Sequence, residues 1–107
     1  MKLNEYQGHA LETALYPIEA KIVYPILGLA GEAGEVADKY KKIIRGDKVL
    51  DSTTRDTLVG EVGDVLWYVA VLSADLGFTL EEVAQMNVRK LSSRQERGVI
   101  KGDGDTR

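Results

Sequence analysis

The chain has 107 residues, 44% hydrophobic and 29% charged, with a formal net charge of −3. That length holds one domain with one core, and the acidic balance argues against a nucleic-acid partner, which needs a basic face. The absence of cysteine and a single histidine, His9, exclude disulfides, thiolate zinc sites, cysteine nucleophiles and histidine-rich metal centres, and leave little for a Ser-His pair.

The opening residues Met1-Lys2-Leu3-Asn4-Glu5 lack the apolar run of a signal peptide, and no apolar stretch reads as a membrane span. A soluble cytoplasmic protein with no membrane partner is the expectation. Leu3, Tyr6, Ala10, Leu11 and Ala14 recur at helical spacing and predict a first helix from 3 to about 16, stopped by Tyr16-Pro17. His9 falls off that stripe and reads as a surface residue. Residues 17–24 are a connector, and Pro25 suits the first turn of a second helix running from about 25 to 45. Its predicted apolar face is Ile26, Leu29, Ala30, Ala33, Val36, Ala37 and Tyr40. Gly46 stops it. Lys41, Lys42 and Arg45 suit the negative end of the helix dipole, and a phosphate-steering role fits all three as well.

Asp51 or Ser52 can cap a third helix, about 53 to 76, with Gly77 beyond it. Val65 to Leu72 are apolar almost all round, which predicts burial on two sides. A chain this short offers little to cover both, so the pattern predicts a homodimer or homotetramer. Thr79-Leu80-Glu81-Glu82 is a capping box that opens a fourth helix. Leu80, Val83, Ala84, Val88 and Leu91 are expected to face inward with Asn87 among them, and Lys90, Arg94 and Arg97 follow on an adjoining line. Residues 98–107, with three glycines, alternating charges and no periodicity, read as a flexible tail to a single domain, 1–97. No strand alternation occurs. The fold class is all-α, an antiparallel bundle of about four helices completed by oligomerisation.

Inside the second and third helices one pattern occurs twice: Gly31-Glu32-Ala33-Gly34-Glu35 and Gly60-Glu61-Val62-Gly63-Asp64. Acids three apart share a helix face. On facing helices the two pairs would surround one small volume, where like charges repel unless a cation lies between them. An all-oxygen donor set suits Mg2+, with Mn2+ as a substitute; a di-iron bundle would need histidine at the fourth position of these motifs. Each mid-helix glycine costs about 1 kcal/mol relative to alanine, so four of them imply close helix approach or room for a ligand. Asn87, Lys90 and Arg94 complement the acids as contacts for a polyanion.

These residues resemble the MazG-like all-α nucleoside triphosphate pyrophosphohydrolases, marked by an E-E-x-x-E motif and an E-x-x-D motif on the next helix. Gly31 to Glu35 matches the first and Glu61 to Asp64 the second, and the likeness runs over about 25–107, through Asn87-Val88-Arg89-Lys90-Leu91 and Gly102 to Arg107. Gly31 departs from the first acid, which leaves the number of bound ions open. The resemblance implies Mg2+ held by Glu32, Glu35, Glu61 and Asp64, and cleavage of a nucleoside triphosphate to monophosphate and pyrophosphate. It implies substrate contacts from Asn87 and Lys90, with Lys41, Lys42 and Arg94 as further phosphate contacts. Trp67 or Tyr68 fits base selection, although a core or interface place suits both. A nucleotide-binding module without catalysis, and relatives of the dimeric dUTPases or phosphoribosyl-ATP pyrophosphatases, stay open as alternatives.

Overall fold

Four α-helices and one short 3₁₀ turn make up the computed structural model, which describes residues 1–107 and contains no strand. In order they are α1 (Leu3–Glu12), the turn Ile18–Ala20, α2 (Val23–Ile44), α3 (Ser52–Asp75) and α4 (Leu80–Glu96). The all-α class is as the sequence predicts.

Side chains set several of the boundaries. Asp51 caps α3 by accepting from the Thr54 N–H at 2.9 Å. Thr79 and Glu82 complete both halves of the capping box at α4. The first helix ends at Glu12, short of the expected 16, because the Thr13 hydroxyl and N–H both turn back to the Ala10 carbonyl and close the last turn. The start of α2 is tied to the end of α3 by Asp75. One oxygen of that carboxylate accepts from the Tyr16 hydroxyl at 2.7 Å and from the Ile22 N–H at 3.0 Å. Ile22 has φ +70°, a left-handed conformation costly for a β-branched residue, and the Asp75 contact holds it there.

The core is small: Ala10, Ala70, Val71 and Leu80, with Tyr6, Ala14, Tyr16, Trp67, Tyr68 and Val69 packed around it. α1 lies on α3, α4 touches α1 and α3, and α2 pairs antiparallel with α3. Several expected faces are rotated. On α1 the buried pair is Gln7 and Ala10, whereas Leu3 and Leu11 are exposed. On α2 the half-buried line is Leu29, Glu32, Val36, Lys39 and Ile43, and Ile26, Ala30, Ala33, Ala37 and Tyr40 point away. On α4, Asn87, Val88 and Leu91 are exposed, so Asn87 is not an inward amide.

Gly28 explains the choice on α2. A Cβ there would overlap the Tyr68 ring, while Cβ atoms at Gly31, Gly34, Gly60 or Gly63 would meet nothing. The close approach expected of the motif glycines belongs to Gly28 instead. Gly28→Ala should therefore destabilise the chain by about 1–3 kcal/mol through overpacking, read as a lowered denaturant midpoint. An unchanged midpoint would contradict the contact.

Of Val65 to Leu72, Ala70 and Val71 are buried, Leu66 is exposed and the other five are half-buried, so the chain itself covers part of the apolar half of α3. By length and composition α3 does meet the criterion for a membrane-crossing helix, which corrects the sequence reading. It packs along α2 and α1, and it carries Glu61 and Asp64 near its middle, where charge is expensive in a bilayer. Residues 98–107 form no helix; they fold back on α4, where Lys90 and Arg94 each donate to the Asp105 carboxylate at 2.8 Å, and Arg107 donates to the Val99 carbonyl at 3.0 Å.

Candidate metal centre

Antiparallel pairing places Gly28 beside Tyr68 and brings the two acidic motifs level on α2 and α3. Glu32, Glu61 and Asp64 each offer a carboxylate oxygen, and these oxygens lie within 4.8 Å of one another. Glu35, the fourth expected ligand, is outside this group, with a side chain 56% exposed. Its carboxylate faces Lys39 at 3.8 Å, and the same ammonium reaches Glu61 at 2.9 Å. Helical side chains tilt toward the N-terminus, which carries Lys39 back one turn to the level of Glu35 and Glu61. The sequence reading did not single out Lys39; its place four residues after Glu35 and seven after Glu32 is the signal that it shares their face.

The electrostatics follow from this crowding. Loss of water contact, then Asp64, a hydrogen bond with Glu61 and the charges of Glu61 and Glu35, hold the Glu32 carboxyl above the usual range. The hydrogen bond to Glu61 raises Lys39. Three carboxylates converging on one point, with no nitrogen or sulfur donor among them, fit a hard divalent cation that takes oxygen ligands.

Beside the acids opens a cleft of about 360 Å³ lined by Thr13, Glu32, Asp64, Trp67 and Tyr68. The Trp67 indole N–H donates to the Thr13 hydroxyl at 2.8 Å, and the two rings meet edge to face, 4.9 Å apart. Trp67 and Tyr68 thus both pack on the core and wall the cleft.

The remaining expected contacts lie elsewhere in the chain. Asn87 and Lys90 line a separate cavity of about 400 Å³ with Phe78, Val83, Met86 and Asp105. Lys90 pairs with Asp105 at 2.8 Å. Arg94, buried, donates to the Asp105 carboxylate at 2.8 Å and to its carbonyl at 2.7 Å. Lys41 and Lys42 pair with Asp38 at 2.8 and 3.2 Å, which holds the Asp38 carboxyl down at about 2.

Fold and site together define a class: an all-α bundle that gathers carboxylates across the seam of its two longest helices, next to an aromatic cleft. More particularly, residues 25–99 match the model of the MazG nucleotide pyrophosphohydrolase domain, and the chain belongs to that family. It is also similar to the "Gene 37 protein" of Mycobacterium phage L5, at 48% identity with the whole of each chain covered. No solved structure matches.

Proposed function

We propose that this chain hydrolyses a nucleoside triphosphate between the α and β phosphates, with Mg2+, or Mn2+ in its place, held by Glu32, Glu61 and Asp64. The observation that carries the reading is the convergence of those three carboxylates at the edge of the Trp67–Tyr68 cleft. At about 360 Å³ the cleft falls in the range of roughly 300–1,000 Å³ usual for small-molecule sites. A divalent cation bound there supplies charge neutralisation for the phosphates and a more acidic water.

The chain's own residues do the rest. Trp67, its ring direction fixed by Thr13, gives a flat wall for the base. Glu32 lines the cleft and Glu35 does not, so Glu32 is the carboxylate placed to take a proton from the attacking water. Lys39 keeps Glu61 and Glu35 in position. The test is a product assay with Mg2+ and a panel of nucleoside triphosphates. Monophosphate with pyrophosphate is the expected outcome; diphosphate with orthophosphate would move the cleavage point, and no product would favour a binding module.

We also propose a homodimer or homotetramer, on grounds other than the apolar half of α3. The radius of gyration is 16.6 Å, against about 13 Å for a compact domain of ~100 residues. Ile26, Leu27 and Tyr40 on α2, and Val59 and Val62 on α3, are exposed. A neighbouring copy would cover those faces and offers the exposed Asn87 and Lys90 a route to the phosphates. Sedimentation at micromolar concentration should give at least twice the 11.8 kDa chain mass; a one-chain mass would end the proposal.

A further inference from the structure

Past the carboxylates, toward the α2–α3 turn, the seam changes sign. Lys39, Lys42 and Lys48 line a cavity of about 130 Å³ with Thr53, Thr54 and Thr57. Leu58 completes the lining, and no acidic residue is part of it, in a chain of net charge −3. Lys39 and Lys42 are engaged by Glu61 and Asp38 on the cavity's edges; Lys48 forms no ion pair. The space is too small for a nucleoside, which takes several hundred Å³. It equals about four water volumes of ~30 Å³, which suits an inorganic anion. The Thr57 hydroxyl donates to the Thr53 carbonyl at 3.1 Å, so Lys48 is the unpaired cation of the lining, and charge-assisted bonds from ammonium to phosphate oxygens are the strong ones.

The order of groups along α3 gives the cavity its meaning. Tyr68 comes first, then Asp64 and Glu61, then Thr57 and Thr53. At about 1.5 Å per residue, Glu61 lies roughly 10 Å along the helix from Tyr68, and Thr57, the nearest threonine of the cavity, roughly 6 Å further. Aromatic wall, carboxylates and lysines thus follow in one line, as do the base, the scissile anhydride and the terminal phosphates of a nucleoside triphosphate. Lys39 joins the last two zones, since its ammonium touches Glu61 and its side chain lines the cavity.

We infer that Lys39, Lys42 and Lys48, with Thr53 and Thr57, form a subsite for the pyrophosphate leaving group, and that the substrate lies along the seam with its base at Trp67. This rests on the reaction proposed above. In that reaction the oxygen of water bonds to the α phosphorus and the bond from that phosphorus to the α–β bridging oxygen breaks. The electron pair stays on pyrophosphate and the water's proton goes to Glu32. The lysines meet the charge that develops on the leaving group.

The test is calorimetric titration of the full chain with inorganic pyrophosphate in metal-free buffer. Wild type should bind it, more weakly as salt is raised. Lys48→Ala should weaken binding about tenfold, the effect of losing one charged partner, and Thr53→Val should weaken it by a smaller factor. Lys48 is exposed and on the turn, so both variants should keep wild-type helicity by circular dichroism. No pyrophosphate binding by wild type, or equal binding by wild type and Lys48→Ala, overturns the subsite. The product assay on the same preparations separates the two ideas. Hydrolysis by a protein whose pyrophosphate affinity ignores Lys48 removes the subsite and leaves the reaction. Weakened pyrophosphate binding in Lys48→Ala without any hydrolysis removes the reaction and leaves an anion site.

Discussion

Glu61→Gln is expected to lower metal-dependent nucleotide hydrolysis by at least ~100-fold, the scale seen when a group that stabilises developing charge is removed. Three facts single this residue out. Its side chain is 18% exposed, against 56% for Glu35. It belongs to the converging trio with Glu32 and Asp64, and it holds Lys39 at 2.9 Å. Glutamine keeps the shape and removes the charge, so one substitution weakens the cation site and frees Lys39 from its strongest partner. The measurement pairs pyrophosphate release with thermal melts. Mg2+ plus nucleotide should raise the wild-type melting temperature, because a ligand of the folded state stabilises it, and should barely move that of the variant. Helical content should be the same in both. Full activity in Glu61→Gln would remove the metal-centre reading altogether.

Gln7→Leu should destabilise the fold by about 3 kcal/mol, through the loss of two buried hydrogen bonds and a part-buried one, and an orphaned donor. Gln7 is 7% exposed. Its amide nitrogen donates to the Ala70 and Phe78 carbonyls at 3.1 Å each, and its oxygen accepts from the Leu80 N–H at 3.1 Å. One side chain therefore ties α1 to the body of α3, to the turn after it and to the first residue of α4. Leucine fills similar space and satisfies none of these groups. For a domain of this size the melting temperature should fall by more than ~10 °C. Asn4 supplies the contrast: its oxygen also accepts from α4, at the Glu81 N–H, but at an exposed site. Asn4→Ala should cost less than ~1 kcal/mol. Equal losses at Asn4 and Gln7 would show that burial is not what gives the Gln7 network its weight.

The uneven value of these residues shows where sequence reading succeeds. The four helices follow from local chemistry: the Thr79–Glu82 capping box, the Asp51 cap, and Gly46 and Gly77 beyond the helix ends, at φ +93° and +86°. Such signals act within one turn of chain, so neighbouring residues suffice to state them. The paired acidic motifs were equally legible, because spacing on a helix fixes which acids share a face, and three of the four meet across the seam.

Tertiary packing decided the rest. The sequence could not say which line of α2 would turn inward, since Ile26, Leu29, Ala33 and Val36 spread apolar groups around much of the helix. Tyr68 against Gly28 made the choice, and with it Glu35 turned outward and Lys39 came into the carboxylate zone. Gln7 gave no signal in the sequence because its partners lie 63 to 73 positions away. Asn87 looked inward because Leu80 and Leu91 extend an apolar stripe that α4 buries only at its start. Helix formation and motif spacing are local, and the sequence by itself determined them. Rotation of each helix about its axis is a competition among long-range contacts, and only the folded chain resolved it.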